Sequence, residues 1–339
     1  MDNFLWGVVA GVFGIAALVF FAVTLFKRGA LTFKIDGFYS HVVDGDVGPF
    51  IRDVQADVPD APTCALDDRM SCSIRDAVQC HNAVDRPDCD VLLLSGGGQW
   101  GAFGAGLFDT LSRNSGNELA LPGIGVITGI STGSLQALML MVALDPKQTP
   151  DMRRYALDRL VWGYSPQRES DVVTHTGLIG VPLFGSAAGT SRLRRRVIEA
   201  LMPKGDERLI AAIGTSSIEG FVGFVEAERG VFRYADIKEL VNAAPTAAAA
   251  AEALAAATMA SSAMPVFHQQ LRVAGSDGEA LALYDGGVRR SVFFDRAMAA
   301  VDREVRKQMQ GHPIARVAGS APIRRAISSS ENTRHSRAT

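Results

Sequence analysis

The sequence predicts an α/β fold, a mainly parallel central sheet flanked by helices, preceded by one N-terminal transmembrane helix. Three observations predict it. Phe4 to Phe26 is an uncharged run in which Thr24 is the only polar side chain. From Val91 onward, short apolar runs alternate with stretches of helical spacing, the pattern of strands joined by crossover helices. Two of those runs, Val91 to Leu94 and Ile124 to Ile127, each lead through glycines into a helix. Strands buried on both faces, as in parallel sheets, read as continuous apolar runs of this kind.

The chain has 339 residues, 47% of them hydrophobic and 21% charged. That supports one large core with one or two appendages and excludes a disordered protein. The net charge is -2, and no basic run with interleaved aromatics occurs in the body of the chain, so nucleic acid is not an expected partner. Charge is uneven: from Asp302 to the end there are eight Lys or Arg against three Asp or Glu.

In chain order, the apolar run of 23 residues at 4–26 is long enough, at 1.5 Å per residue, to cross a hydrocarbon core of about 30 Å. Residues 1–28 therefore read as a membrane anchor. A cleaved signal peptide fits less well, because a basic start is missing and Lys27-Arg28 stand where small cleavage-site residues belong. Residues 29–90 read as a membrane-proximal connector, with scattered prolines and all four cysteines at 64, 72, 80 and 89. Their spacing lacks the C-x-x-C pairs of a zinc site. Asp2 precedes the anchor while Lys27, Arg28 and Lys34 follow it, which favours the cytoplasmic face for everything beyond. Paired cysteines would instead require an exported domain.

A catalytic domain is expected over 91–311. After the first strand, a helix from about Trp100 to Arg113 presents Phe103, Leu107 and Leu111 on one face, and the helix at Ser134 to Leu144 is apolar all round, hence buried. Tyr155 to Trp162 predicts another helix. Asp171 to Gly189 reads as a loop whose apolar residues at 178, 179, 181, 183 and 184 either face lipid or pack on the core. Ser191 caps a basic amphipathic helix, Arg208 to Ile213 reads as a strand, and Phe221 to Val225 as another, with a turn at Glu228-Arg229-Gly230. An alanine-dominated helix runs from about Pro245 to Met259, and Phe293 to Gln308 looks helical. Residues 312–339 form a basic, disordered tail.

Two motifs carry chemistry. Gly129-Ile130-Ser131-Thr132-Gly133 fits a nucleophile elbow, with glycines two before and two after a serine allowing a sharp strand-to-helix turn. Ser131 then stands at a helix N-terminus, where the helix dipole favours developing negative charge. Gly96, Gly97 and Gly98 expose N–H groups with no side chain in the way, so that donors can converge on one oxyanion. The same glycines, with Gly101, also satisfy the G-x-G-x-x-G of a dinucleotide turn, but no acidic residue ends the next strand. A nucleophilic serine needs a base. Asp285 follows the apolar run 281–284 and precedes two glycines, which suits a carboxylate projecting from a strand end into a cleft.

The order of the glycine-rich loop, G-x-S-x-G at 129–133, Ala260-Ser261-Ser262-Ala263-Met264-Pro265 and Asp285-Gly286-Gly287 resembles the patatin-like phospholipases over about residues 91–288. The resemblance implies a lipid acyl hydrolase with Ser131 as nucleophile, Asp285 as base, and Gly96, Gly97 and Gly98 at the oxyanion hole. Residues 261–265 would shape the cleft wall. Two departures stand out. The family's loop often begins with aspartate and carries a basic residue before its last glycine, where this chain has Ser95 and Trp100. The chain is also short beyond Asp285.

The expectation is a membrane-anchored serine esterase acting on a membrane lipid or other acyl ester, with no metal or cofactor. An alternative is an α/β-hydrolase with a Ser131, Asp285, His312 triad, in that fold's chain order, although Ser95 rather than a histidine precedes the glycines. A tethered scaffold that has kept the fold and lost turnover is another.

Overall fold

A computed structural model describes residues 11–21, 32–33, 38, 40–42, 73, 88–114, 123–175, 186, 188–274 and 280–290. The apolar run after the connector becomes strand β3 (Asp88–Leu94), in which residues 91–94 are buried. A 3-10 turn, Gly98–Trp100, leads into helix α1 (Gly101–Asn114). Its buried positions are Gly101, Ala105, Phe108 and Ser112, at helical spacing. Of the face expected from Phe103, Leu107 and Leu111, Phe103 is exposed, while Leu107 and Leu111 are half-buried and Leu111 packs against the core.

Strand β4 (Gly123–Ile130) pairs with β3 in parallel and runs through Ser131 into helix α2 (Thr132–Ala143). Residues 133–143 of α2 are all buried, as its largely apolar sequence demands, and its two buried polar side chains, Ser134 and Gln136, are both hydrogen-bonded. Helix α3 (Pro150–Gly163) starts with Thr149 accepting from the Met152 N–H and Pro150 in the first turn, then runs back along α2. The corner between them is held by buried Asp145. It accepts from the Lys147 N–H at 2.9 Å, the Ser217 N–H at 3.0 Å and the Ser217 hydroxyl at 2.5 Å. Burial pushes this carboxyl up, but those hydrogen bonds outweigh it and leave it below the ordinary value.

Short strands β5 (Thr174–His175) and β6 (Ala188–Gly189) pair with each other. Helix α4 (Ser191–Leu201) follows, and its cap position is Thr190, which makes no side-chain cap bond, in place of the expected Ser191. The stretch read as a strand at 208–213 is helix α5 (Arg208–Thr215). Leu209, Ile210 and Ile213 recur at helical spacing and are buried on one side, a pattern that a six-residue apolar run does not separate from a strand. Next come β7 (Glu219–Glu226), β8 (Phe232–Asp236), α6 (Ile237–Ala243), α7 (Ala247–Ser262), β9 (Leu271–Ala274) and β10 (Ala280–Asp285).

The sheet is mixed, not mainly parallel. β3 with β4 and β4 with β7 are parallel, as is β9 with β1 (Thr32–Phe33). The pairings β7 with β8, β7 with β10, β9 with β10, and β8 with β2 (His41–Val42) are antiparallel. β7 joins β8 through a short turn with Gly230 at φ 65°, a hairpin geometry that forces opposite strand directions. Two strands of the connector thus belong to the sheet.

Residues 11–21 are helical with exposed side chains. Among the described residues no helix is long and apolar enough to cross a membrane. The rest of the 4–26 run lies outside them, so the anchor is not part of the observed fold. The expected helix at 293–308, the tail at 312–339, the apolar residues at 178–184 and Cys64, Cys72 and Cys80 also lie outside the described residues.

Candidate active site

At the end of β4 the chain turns so sharply that Ser131 has φ 52° and ψ -123°, a backbone state that side chains disfavour by roughly 1–3 kcal/mol. The flanking glycines make the turn possible. A Cβ on Gly129 would lie 2.5 Å from the Gly133 carbonyl oxygen, and one on Gly133 would lie 2.7 Å from the Leu94 carbonyl oxygen. Their absence lets α2 start directly against β3 and β4. The Ser131 carbonyl accepts from the Ser134 N–H at 2.9 Å and from the Ser134 hydroxyl at 2.5 Å. Its N–H donates to the Ser261 hydroxyl oxygen at 2.7 Å, and that hydroxyl donates to the Gly223 carbonyl at 2.6 Å. Ser261, at the end of α7, is fully buried.

Asp285 reaches the same place from the opposite direction. β7 has β8 on one edge along residues 221–225. On its other edge it pairs with β4 as far as Gly223, opposite Ile130, and with β10 from Phe224, opposite Asp285. β4 and β10 therefore meet end to end, with Ser131 and Asp285 at their tips. The Asp285 N–H donates to the Ala263 carbonyl at 3.0 Å, and its carboxylate accepts from the Gly287 N–H at 2.7 Å. Burial pushes the Asp285 carboxyl above its ordinary 3.8, against the opposing pull of the Gly287 N–H and the Ser131 hydroxyl.

The glycine loop closes the third side. A Cβ on Gly96 would fall 3.1 Å from the Ser131 Cβ and 3.8 Å from its Oγ, so a larger residue would press on the serine. Gly98 has φ 56°. Among the described residues, no acceptor takes the N–H groups of Gly96, Gly97 or Gly98. The loop is fastened to α2 by Gln136, which donates to the Gly101 carbonyl at 2.9 Å. Tyr164 donates to the Thr132 carbonyl and accepts from the Thr132 hydroxyl at 3.0 Å, and burial raises its phenol well above the ordinary 10.0.

A family model described as patatin-like phospholipase matches residues 92–298. The chain belongs to that family. No curated protein matches it. Membership places this patatin-like phospholipase among lipid acyl hydrolases, with a lipid or other acyl ester as substrate. The matched segment contains the glycine loop, Ser131, Ser261 and Asp285 together.

Of the residues singled out in the sequence of this patatin-like domain, the structure brings together Ser131, Asp285 and Gly96, with Gly97 and Gly98 continuing the loop. His312 lies outside the described residues. His268 is half-buried, with Nδ1 3.1 Å from the Ser262 carbonyl, and burial lowers its pKa. The dinucleotide reading loses its geometry, since β4, the strand after the loop, ends at Ser131 and not at a ribose-binding acid. Among the described residues, no group of His, Cys, Asp and Glu is arranged to hold a metal ion. Sequence reasoning missed the Ser261 hydroxyl as a backbone clamp and Tyr164 and Gln136 as braces. The signal for Ser261 was a pair of small polar residues, Ser261 and Ser262, closing an alanine-rich helix.

Proposed function

We propose that this protein is a serine esterase that cleaves the acyl esters of membrane lipids through a Ser131–Asp285 dyad. The observation that carries the reading is a buried carboxyl, its proton affinity raised by burial, set at the tip of β10 where that strand meets the tip of β4 and the Ser131 side chain. A carboxylate made more basic by burial is a competent general base, and one within hydrogen-bond reach needs no relay. Asp285 takes the Ser131 proton as Oγ attacks the acyl carbonyl carbon. The oxyanion that forms is received by N–H groups of Gly96, Gly97 and Gly98, which have no competing acceptor among the described residues. Such donors are worth about 3 kcal/mol each. Collapse breaks the ester C–O bond, the leaving alcohol takes the proton back from Asp285, and water then cleaves the acyl-enzyme by the same steps.

A lipid substrate, in preference to a soluble ester, is supported by apolar residues beside the site. Trp100 follows the glycine loop, Met264, Val266 and Phe267 follow Ala263, and Val288 follows Asp285. All are between 41% and 67% exposed, although two of these segments also supply buried residues at the site, Ala263 and Asp285. Val266 holds φ 69°, which a β-branched residue adopts only when its surroundings dictate it. Such a rim suits contact with acyl chains. Residues 4–26 would anchor the chain in the same membrane.

The test is hydrolysis of lipid esters by the purified protein. Ser131→Ala and Asp285→Asn should each lower the rate by several powers of ten, as losses within one catalytic unit do. His312→Ala should leave it within about twofold, since the dyad alone accounts for proton transfer. A loss with His312→Ala as deep as with Ser131→Ala would replace the dyad by a triad.

A further inference from the structure

Helix α4 carries arginines at 192, 194, 195 and 196, crowded into its first half. Cations there oppose the positive end of the helix dipole. No acidic residue stands in the first turn and Thr190 makes no side-chain cap bond, so nothing on the helix itself neutralises that end. Arg194 is turned aside to pair with Glu252. The other three line a groove of about 420 Å³ together with Trp162, Asp171 and Glu199.

Among the described residues, none of the three groove arginines makes an ion pair. Arg192 donates to the Ser170 carbonyl. Arg196 donates to the carbonyls of Gly163 at 3.0 Å and Trp162 at 2.6 Å, and its guanidinium lies 4.4 Å from the Trp162 ring. Arg195 is exposed and makes no hydrogen bond within the described residues. The Asp171 carboxylate accepts from the Arg168 N–H at 3.0 Å. Burial disfavours the Arg196 charge, Asp171 offsets this in part, and Arg159 adds to it; against the carboxylates of Asp171 and Glu199, the three arginines leave the groove one positive charge in excess.

We propose that this groove binds a phosphate-bearing anion, which Arg192 and Arg195 grip with free guanidinium N–H groups while Arg196 forms the wall. The planar fork of arginine matches phosphate oxygens two at a time. Three unpaired cations around one cavity gain more from a dianion than from water. The groove stands at the same end of the molecule as Ser131, because Tyr164, two residues after Trp162, hydrogen-bonds Thr132. The phosphate belongs either to a soluble monoester or to a lipid head group; the recognising chemistry is shared. The inference rests on the arginines and not on the esterase reading.

Full-length protein carrying Ser131→Ala, in neutral detergent, keeps lipid intact and so separates binding from hydrolysis. It is titrated calorimetrically with glycerol phosphate, dihexanoyl phosphatidic acid and dihexanoyl phosphatidylcholine. Saturable binding of glycerol phosphate supports the site with a soluble source, and binding of phosphatidic acid alone supports it with a lipid source. Adding Arg195→Gln should weaken either by about fivefold without moving the melting temperature, since Arg195 holds nothing else. Arg192→Gln with Arg195→Gln should weaken it by more than about tenfold. No saturable binding of either phosphate ligand, or affinities that both substitutions leave unchanged, would overturn the proposal.

Discussion

Ser261→Ala removes one oxygen and strands two buried backbone groups, the Ser131 N–H and the Gly223 carbonyl, which the hydroxyl joins at 2.7 and 2.6 Å. An unsatisfied buried donor or acceptor costs about 1–3 kcal/mol. Gly223 also lies in the β7 ladder, so its carbonyl is the less exposed of the two to this loss, and the total should be about 3 kcal/mol. For a domain of this size that lowers the melting temperature by about 6–12 °C. The clamp also holds Ser131 at φ 52°, and a relaxed elbow would move its hydroxyl away from Asp285. Misplacement by an ångström is worth about a hundredfold in rate. Labelling of Ser131 by an organophosphonate, timed alongside thermal unfolding, reads both effects. Thr258→Ala is the control: its hydroxyl donates only to the Leu254 carbonyl within the same helix, and its loss should change labelling by less than about twofold. If Ser261→Ala labelled as fast as the parent and melted at the same temperature, Ser261 would be packing and not a positioning residue.

Asp285→Asn should stabilise the protein near neutral pH while abolishing turnover. The folded carboxyl binds its proton more tightly than the unfolded one, so stability falls as pH rises from the ordinary 3.8 to the raised folded value, and the cost persists above it. Melting curves of parent and variant should therefore converge below that ordinary value and separate at neutral pH; a variant less stable at every pH would contradict the burial argument. The 4–26 run should keep full-length protein in the membrane pellet through high salt and alkaline washing, and a membrane-impermeant thiol reagent should reach the cysteines only after lysis. Release by alkali would remove the anchor, and thiols that appear only on reduction would move the domain outside the cell.

Much of this site was legible because its parts are local. An elbow is a five-residue event and a glycine loop a three-residue one, so Gly129, Ser131, Gly133 and Gly96 to Gly98 declare themselves in the sequence. Direction within the sheet did not, because an apolar run such as 281–284 reads the same in either orientation. Apolar spacing in α1 does not give its buried face for a related reason: small Gly101 and Ala105 are what allow close packing, while Phe103 stays in solvent. At 208–213 a short apolar run sat below the length that separates the two periods. The Ser261 clamp joins residues 130 positions apart, and nothing local to either encodes the other.

The mixed sheet is what makes a two-residue site possible. Were β10 parallel to β4, the tips of both strands would project from the same end of the sheet, but Asp285 would need its own edge of β7, two strand spacings or about 9.6 Å from Ser131 in the pairing direction. Antiparallel β10 instead occupies the stretch of the β7 edge that β4 vacates at Gly223, and the two chains approach tip to tip. Adjacent β7 residues, Gly223 and Phe224, then act as a ruler for the proposed nucleophile and base. Gly286 has to be small for this to close, since a Cβ there would lie 2.7 Å from the Gly223 carbonyl oxygen and 3.3 Å from the Ile130 side chain. The same carbonyl accepts from Ser261, so one β7 residue sets the heights of the elbow, its clamp and the turn after the base. A one-residue slip of β10 would turn Asp285 to the other face of the sheet and leave Ser131 without a base.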